Sequence, residues 1–232
     1  MGCLRTWFGK GLPLAGMMAL ALLPAAAMAG EADIKLPELN NVTFNILGME
    51  LGARLLLFIG LAVCVLGGLF GVVQAMAIKN MPAHRSMLEV SELIYTTCKT
   101  YLITQGKLLA LLQVLIGAVI FVYFFFLVEM PLLDVLVVLM WSVIGILGSF
   151  GVAWFGMRIN TYANSRAAFA SLRGKPLPVM AIPLQAGMGI GMLLISVELV
   201  LMLIILLFVS PEKAGACFLG FAIGESLGAS VL

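Results

Sequence analysis

From position 53 onward the chain alternates long apolar runs with short polar intervals. The runs cover residues 53–77, 108–128, 132–157, 182–209 and 216–232. A helix of roughly 20 apolar residues crosses about 30 Å of hydrocarbon, so the first four runs predict complete spans and the last a truncated one. Within each run the apolar positions are continuous rather than alternating, which points to helices and away from a barrel. The interval 80–107 is charged yet keeps helical periodicity through Met87, Val90, Leu93, Ile94 and Leu102. It predicts one long helix that starts in water and enters the bilayer near Leu108. Residues 158–178 read as a polar connection. The fold class predicted is an all-α integral membrane protein, a polytopic helical bundle of four complete spans plus a truncated fifth after a signal peptide.

The start of the chain has a different grammar. Arg5 and Lys10 precede a short apolar stretch, and Ala27-Met28-Ala29 supplies a small-x-small cleavage site, so residues 1–29 are expected to be a secretory signal peptide cut after Ala29. An uncleaved first span is the rival, weakened by the shortness of the apolar core at 11–23. Residues 30–52 carry Pro37 and the pair Asn40-Asn41 and are expected to form an exported, loosely structured segment. Glu50 and Arg54, four apart, suggest an interfacial pair.

Composition agrees with the pattern: 63% of residues are hydrophobic and 10% charged, against roughly a quarter charged in soluble domains. A net charge of +2 without a basic, aromatic-laced patch gives no reason to expect nucleic acid. The placement of charge is more telling. Lys79, Arg85, Lys99, Lys107, Arg158, Arg166, Arg173 and Lys175 follow the first and third spans, whereas the turns after the second and fourth hold only Lys213. The basic side is therefore expected in the cytoplasm and the mature N-terminus outside. Tyr123 and Trp154 near span ends fit interfacial anchoring. Four scattered cysteines without a CxxC indicate neither a disulfide framework nor a zinc site, and the lone His84 reads as a solvated loop residue.

Two acids interrupt the apolar runs. Glu198 lies near the middle of the fourth span and Glu225 about ten residues into the fifth segment, where an ionisable group costs several kcal/mol unless it faces the bundle or a water-filled path. Each is either a functional group or a hydrogen-bonded carboxyl that joins helices. The setting of Glu225 favours function: Gly220, Gly224 and Gly228 repeat a four-residue spacing that allows close helix packing, and Glu225 lies about 100° round from Gly224. Gly67 and Gly71 repeat the same spacing on the first span. Asp134, in an outer turn, reads as solvated. The basic-side loops offer only Glu89 and Glu92 as acids, too few to hold a magnesium-phosphate substrate, and no phosphate loop or nucleophile elbow is present. No catalytic and no metal residues are assigned within this chain.

At Gly151 to Ala168, "GVAWFGMRINTYANSRAA", the sequence resembles the membrane-bound, ion-pumping inorganic pyrophosphatases. In that family a span ends in Gly-Met-Lys/Arg-Ile-Ala-Thr and continues Ala-Asn-x-Arg. Gly156, Met157, Arg158, Ile159, Thr161, Ala163, Asn164 and Arg166 fit, and Asn160 stands where the family has Ala. "TYLITQGK" is similar to the Ala-Tyr-Leu-x-x-Gln-Tyr-Lys that enters the second span, through Tyr101, Leu102, Gln105 and Lys107. "GESLGASVL" resembles the start of the fifth span, before the Asp-rich catalytic loop.

The resemblance implies an N-terminal fragment, from a divergent bacterial branch, of a homodimeric pump of about sixteen spans per subunit in the bacterial inner membrane, with lipid around it. Such a pump hydrolyses magnesium pyrophosphate, its magnesium held by residues beyond this chain, and moves protons or sodium outward. By the same analogy Glu225 lies near the ion gate, taking a proton from the cytoplasmic side and releasing it outward as its proton affinity is switched by pyrophosphate binding and a neighbouring Lys or Arg. Two other readings compete: a small non-catalytic membrane subunit, and a small secondary carrier using Glu198 and Glu225. For the chain taken alone, the glycine faces of the first and fifth segments are expected to lack partners.

Overall fold

The computed structural model describes residues 42–46 and 49–231. The expected signal peptide, most of the 30–52 segment and the Glu50 side chain of the expected Glu50–Arg54 pair lie outside the described residues. Strands β1 (Thr43–Ile46) and β2 (Met49–Gly52) form an antiparallel hairpin with Thr43 opposite Gly52 and Ile46 opposite Met49. Within the expected loosely structured segment 30–52, the described residues thus carry regular structure. Val42, Phe44 and Ile46 alternate with polar residues at the two-residue period of a strand. The hairpin leads straight into the first helix, with the Ala53 N–H donating to the Val42 carbonyl at 3.0 Å.

Five helices follow among the described residues: α1 (Ala53–Lys79), α2 (Arg85–Val122, running on through a π-helical turn at Tyr123–Leu127), α3 (Leu132–Ser171), α4 (Pro176–Phe208) and α5 (Pro211–Val231). All five are long and apolar enough to cross a membrane, so the chain is an all-α polytopic membrane protein, as its sequence predicts. Leu66, Val114, Val119 and Leu147 are among many large apolar side chains on the outside, where a lipid tail is their natural neighbour.

Local chemistry explains the helix ends. His84 is not merely a solvated loop residue: its Nδ1 accepts from the Ser86 N–H at 3.3 Å and caps α2. Between α2 and α3, Glu129 takes a positive φ of 56° in a tight turn. Gly174, at φ +66°, closes the turn between α3 and α4, a backbone state that glycine adopts without steric cost, and Pro176 opens α4 in the first helical turn.

The expected polar connection at 158–178 is mostly helix. α3 continues to Ser171 because its polar side chains find acceptors locally: the Ser165 hydroxyl donates to the Tyr162 carbonyl at 2.9 Å and the Ser171 hydroxyl to the Ala168 carbonyl at 2.7 Å. The alanines between them are strong helix formers. This extension pairs antiparallel with the start of α2 as a two-helix stalk. The Ser91 hydroxyl donates to the Thr161 carbonyl at 2.7 Å, and Arg158 pairs with Glu92 at 3.0 Å. The Arg158 guanidinium also lies 3.9 Å from the Tyr95 ring centroid and 4.5 Å from that of Tyr162. Lys99 sits over Trp154 at 5.9 Å, so that tryptophan contributes to the stalk.

In the membrane region close packing comes from glycine, and the expectation that the glycine faces lack partners within the chain is overturned. On α1, a Cβ at Gly71 would come within 2.6 Å of the Gly189 carbonyl oxygen, and one at Gly67 within 2.7 Å of the Ser196 hydroxyl, so α1 and α4 touch backbone to backbone. On α5, a Cβ at Gly220 would lie 2.6 Å from the Val138 carbonyl oxygen, one at Gly224 would collide with the Ser142 carbonyl oxygen, and one at Gly228 with the Ser149 Cβ. Positions 138, 142 and 149 rise with 220, 224 and 228, so α3 and α5 run parallel. The core at this contact gathers Val135, Val138, Trp141, Cys217 and Phe221 beside Ile120, Phe124 and Ile205.

Gly224→Val is expected to destabilise the chain by about 1–3 kcal/mol or more, because a branched side chain must displace backbone. Gly187, with nothing near its missing Cβ, tolerates alanine and gains about 0.5–1 kcal/mol from helix propensity. Thermal unfolding in detergent, followed by circular dichroism, reads both; a Gly224→Val protein melting at the wild-type temperature contradicts the α3–α5 contact. In the stalk, Arg158→Gln is expected to cost about 0.5–1 kcal/mol, seen as faster hydrogen exchange over residues 88–99, and Arg158→Lys does not restore the protection because its ammonium cannot stack flat on two rings.

Candidate functional site

The site grows out of the parallel contact between α3 and α5. Small residues recur along α3 at Ser142, Gly145 and Ser149, facing the glycines of α5. A Cβ at Gly145 would come within 2.5 Å of the Phe221 carbonyl oxygen and 2.9 Å of the Glu225 backbone nitrogen, so only glycine admits α5 at this depth. The Ser149 hydroxyl donates to the Glu225 carbonyl at 3.0 Å and ties the two helices one turn further along. With Gly224 against α3, the next residue turns toward α4, and Glu225 enters the cleft between α3 and α4.

Glu198 enters the same cleft from α4. Glu198 and Glu225 both line one small cavity, about 10 Å³, walled by Gly145, Ser149, Val197 and Leu201. That volume is at the lower bound for one water molecule. Gly145 and Ser149 fall near the middle of the 132–157 run, so the two acids share mid-membrane depth. The ion pairs among the described residues are Arg85–Glu89, Arg158–Glu92 and Lys213–Asp134, and none of them involves either acid. A carboxyl in this position keeps its charge only with a counter-charge or water, and otherwise holds a proton. The arrangement thus sets two carboxyls, each with two oxygens, on one small cavity.

Of the residues singled out from sequence, Glu225, Gly220, Gly224 and Gly228 stand on α5, the glycines against α3 and the acid toward α4. Glu198, left open between two roles, is brought beside Glu225. Asp134 departs from its solvated expectation: only 14% of its side chain is exposed, and its Oδ1 accepts from the Lys213 Nζ at 2.6 Å, joining the N-terminal ends of α3 and α5. Sequence reasoning missed Gln113 and Ser142. The Gln113 amide donates to the Ser142 hydroxyl at 3.1 Å, linking α2 to α3 beside the Gly224 contact. The available signal was a polar amide inside an apolar run, which in lipid seeks a partner helix. Among the described residues no three His, Cys, Asp or Glu side chains come together in a way that could hold a metal ion.

Comparison with known proteins places this architecture. The family model described as inorganic H+ pyrophosphatase matches residues 65–232. A K(+)-insensitive pyrophosphate-energized proton pump of Chlorobaculum tepidum is 60% identical over 173 residues, covering 75% of this chain and 23% of that protein. A protein of the same name from Pyrobaculum aerophilum is 26% identical over 164 residues, covering 70% of this chain and 20% of its own length. The chain thus spans less than a quarter of the length of the curated relatives it matches. No solved structure gives a significant match. The family match takes in the stalk, the glycine contact and both membrane acids, and the chain belongs to the inorganic H+ pyrophosphatase family.

Proposed function

We propose that the chain forms part of a pump in which pyrophosphate hydrolysis drives protons outward across the membrane, and that Glu225 carries the proton through this part of it. The observation behind the reading is a carboxyl at mid-membrane depth, on a glycine-packed helix, without a cationic partner among the described residues, in a chain of this family. In the proposed cycle a Glu225 carboxylate oxygen accepts a proton from the basic side. The neutral acid is tolerated in the apolar cleft, and the proton then leaves toward the outer side as carboxylate and counter-charge are re-formed. Pyrophosphate binding elsewhere in the pump and a neighbouring Lys or Arg would drive the switch. Both curated relatives bear the name of K(+)-insensitive proton pumps, which favours protons over sodium and independence of potassium.

Hydrolysis is assigned to other parts of the pump. Magnesium would neutralise pyrophosphate charge there; the described residues of this chain do not gather ligands for it, and no step runs through it here. The basic ends of α1, α2, α3 and α4 favour a cytoplasmic stalk, an outside mature N-terminus after signal cleavage, and a bacterial plasma membrane. Homodimeric assembly is part of the same proposal.

A chimera in which this chain replaces the corresponding segment of the Chlorobaculum tepidum pump tests the role of Glu225. In vesicles, Glu225→Gln is expected to lower pyrophosphate-driven proton uptake by about a hundredfold or more, with the protein inserted at the level of the unsubstituted chimera. Uptake undiminished by Glu225→Gln contradicts the proposal.

A further inference from the structure

A second polar site lies at the basic end of the bundle, away from the membrane acids. Arg166, on the last turns of α3, is 7% exposed. Its Nη2 donates to the Lys79 carbonyl at 2.9 Å and its Nη1 to the Ser165 hydroxyl at 2.9 Å and, more weakly, to the Tyr162 carbonyl at 3.5 Å. These acceptors are neutral. The Arg166 Nε, fully buried, has no partner, and no ion pair among the described residues includes Arg166. Beyond these neutral acceptors the guanidinium faces only the Tyr162 ring, 5.0 Å from its centroid, so it is a buried positive charge without an anionic partner among the described residues, and such a charge is ordinarily matched by an anion.

Beside it lies a cavity of about 320 Å³ whose polar lining comes from Arg166, Arg173 and Gln185. Phe169, Pro178 and Ile182 supply apolar wall. Arg173 is exposed and Arg166 buried, so one cation stands at the mouth and the other within. Two guanidiniums and an amide are the donor set that recognises phosphate oxygens. The depth of the cavity narrows the choice further. Arg166 holds the last carbonyl of α1, where the apolar run of that helix ends at Ile78, and exposed Leu177, Met180 and Leu184 of α4 lie close in sequence to the wall residues. This is the level at which lipid head groups sit above their acyl chains.

We propose that this cavity is a phosphate-binding site, with Arg166 and Arg173 as its ligands. The phosphate group of an anionic lipid and free phosphate are the two sources of that chemistry.

The test is native mass spectrometry of the purified full chain in detergent with phosphatidylglycerol, phosphatidylcholine or inorganic phosphate added. Phosphatidylglycerol is expected to be retained with one preferred equivalent, and Arg173→Gln to weaken it about fivefold. Arg85→Gln, which removes an exposed arginine outside the cavity, is expected to leave retention unchanged. Arg166→Lys, which keeps the charge and loses the planar fork, is expected to weaken retention as well; Arg173→Gln carries the test if that variant fails to fold. Inorganic phosphate that displaces the lipid, and is itself weakened by Arg173→Gln, makes a free anion the occupant. The proposal is overturned if Arg173→Gln and Arg85→Gln have equal effects, or if phosphatidylcholine binds as well as phosphatidylglycerol with no dependence on Arg173, or if neither the lipid nor inorganic phosphate is retained.

Discussion

The approach of α5 to α3, closer than any side chain would permit, sets the rest of this bundle. In lipid there is little hydrophobic drive between helices, so association rests on van der Waals contact and a few hydrogen bonds, both of which improve when backbones meet. Gly220 and Gly224 lie against the carbonyls of Val138 and Ser142, Gly145 admits the Phe221 turn, and Ser149 bonds the Glu225 carbonyl. At the N-terminal ends of both helices the Lys213–Asp134 pair closes the same interface. The second close contact, α1 on α4 through Gly67 and Gly71, completes a chain of helices in which α3 is central.

That contact also sets where Glu225 can go. With Gly224 facing α3, the neighbouring side chain turns into the cleft with α4, where Glu198 already stands. Two acids at mid-membrane depth line one water-sized cavity, with no ion pair to either among the described residues. An isolated charge is costly there, which is why this cavity is the site on which the proposed function rests.

Much of this architecture is legible in the amino-acid order because the bilayer imposes length and continuity on each apolar run. The five helices and the side on which basic residues gather follow from that constraint. Helix extents beyond the membrane are less legible. Residues 158–171 look like a loop by polarity, yet their hydroxyls are satisfied by their own helix and the Thr161 carbonyl accepts from the Ser91 hydroxyl of α2, so α3 continues. The hairpin at 43–52 is short enough that its two-residue alternation is easily passed over. Partner choice is the least legible of all: the glycine spacing on α5 says that some backbone comes close, without naming α3. Likewise, nothing local marks Asp134 as the partner of Lys213, 79 positions away. Sequence could set Glu198 beside Glu225 only as a second membrane acid; that the two line one cavity is a property of three helices together.

The central claim, that α5 lies parallel on α3 through its glycine face, is open to a direct distance measurement. The Lys213 ammonium and the Asp134 carboxylate stand 2.6 Å apart across the first turns of α5 and α3, so a zero-length carbodiimide in membranes should join them as an amide within one chain, read by digestion and mass spectrometry. Gly224→Val, which forces α5 away from the Ser142 carbonyl, should sharply lower the yield of that cross-link. No Lys213–Asp134 cross-link in the unsubstituted protein, or an equal yield in Gly224→Val, would contradict the account.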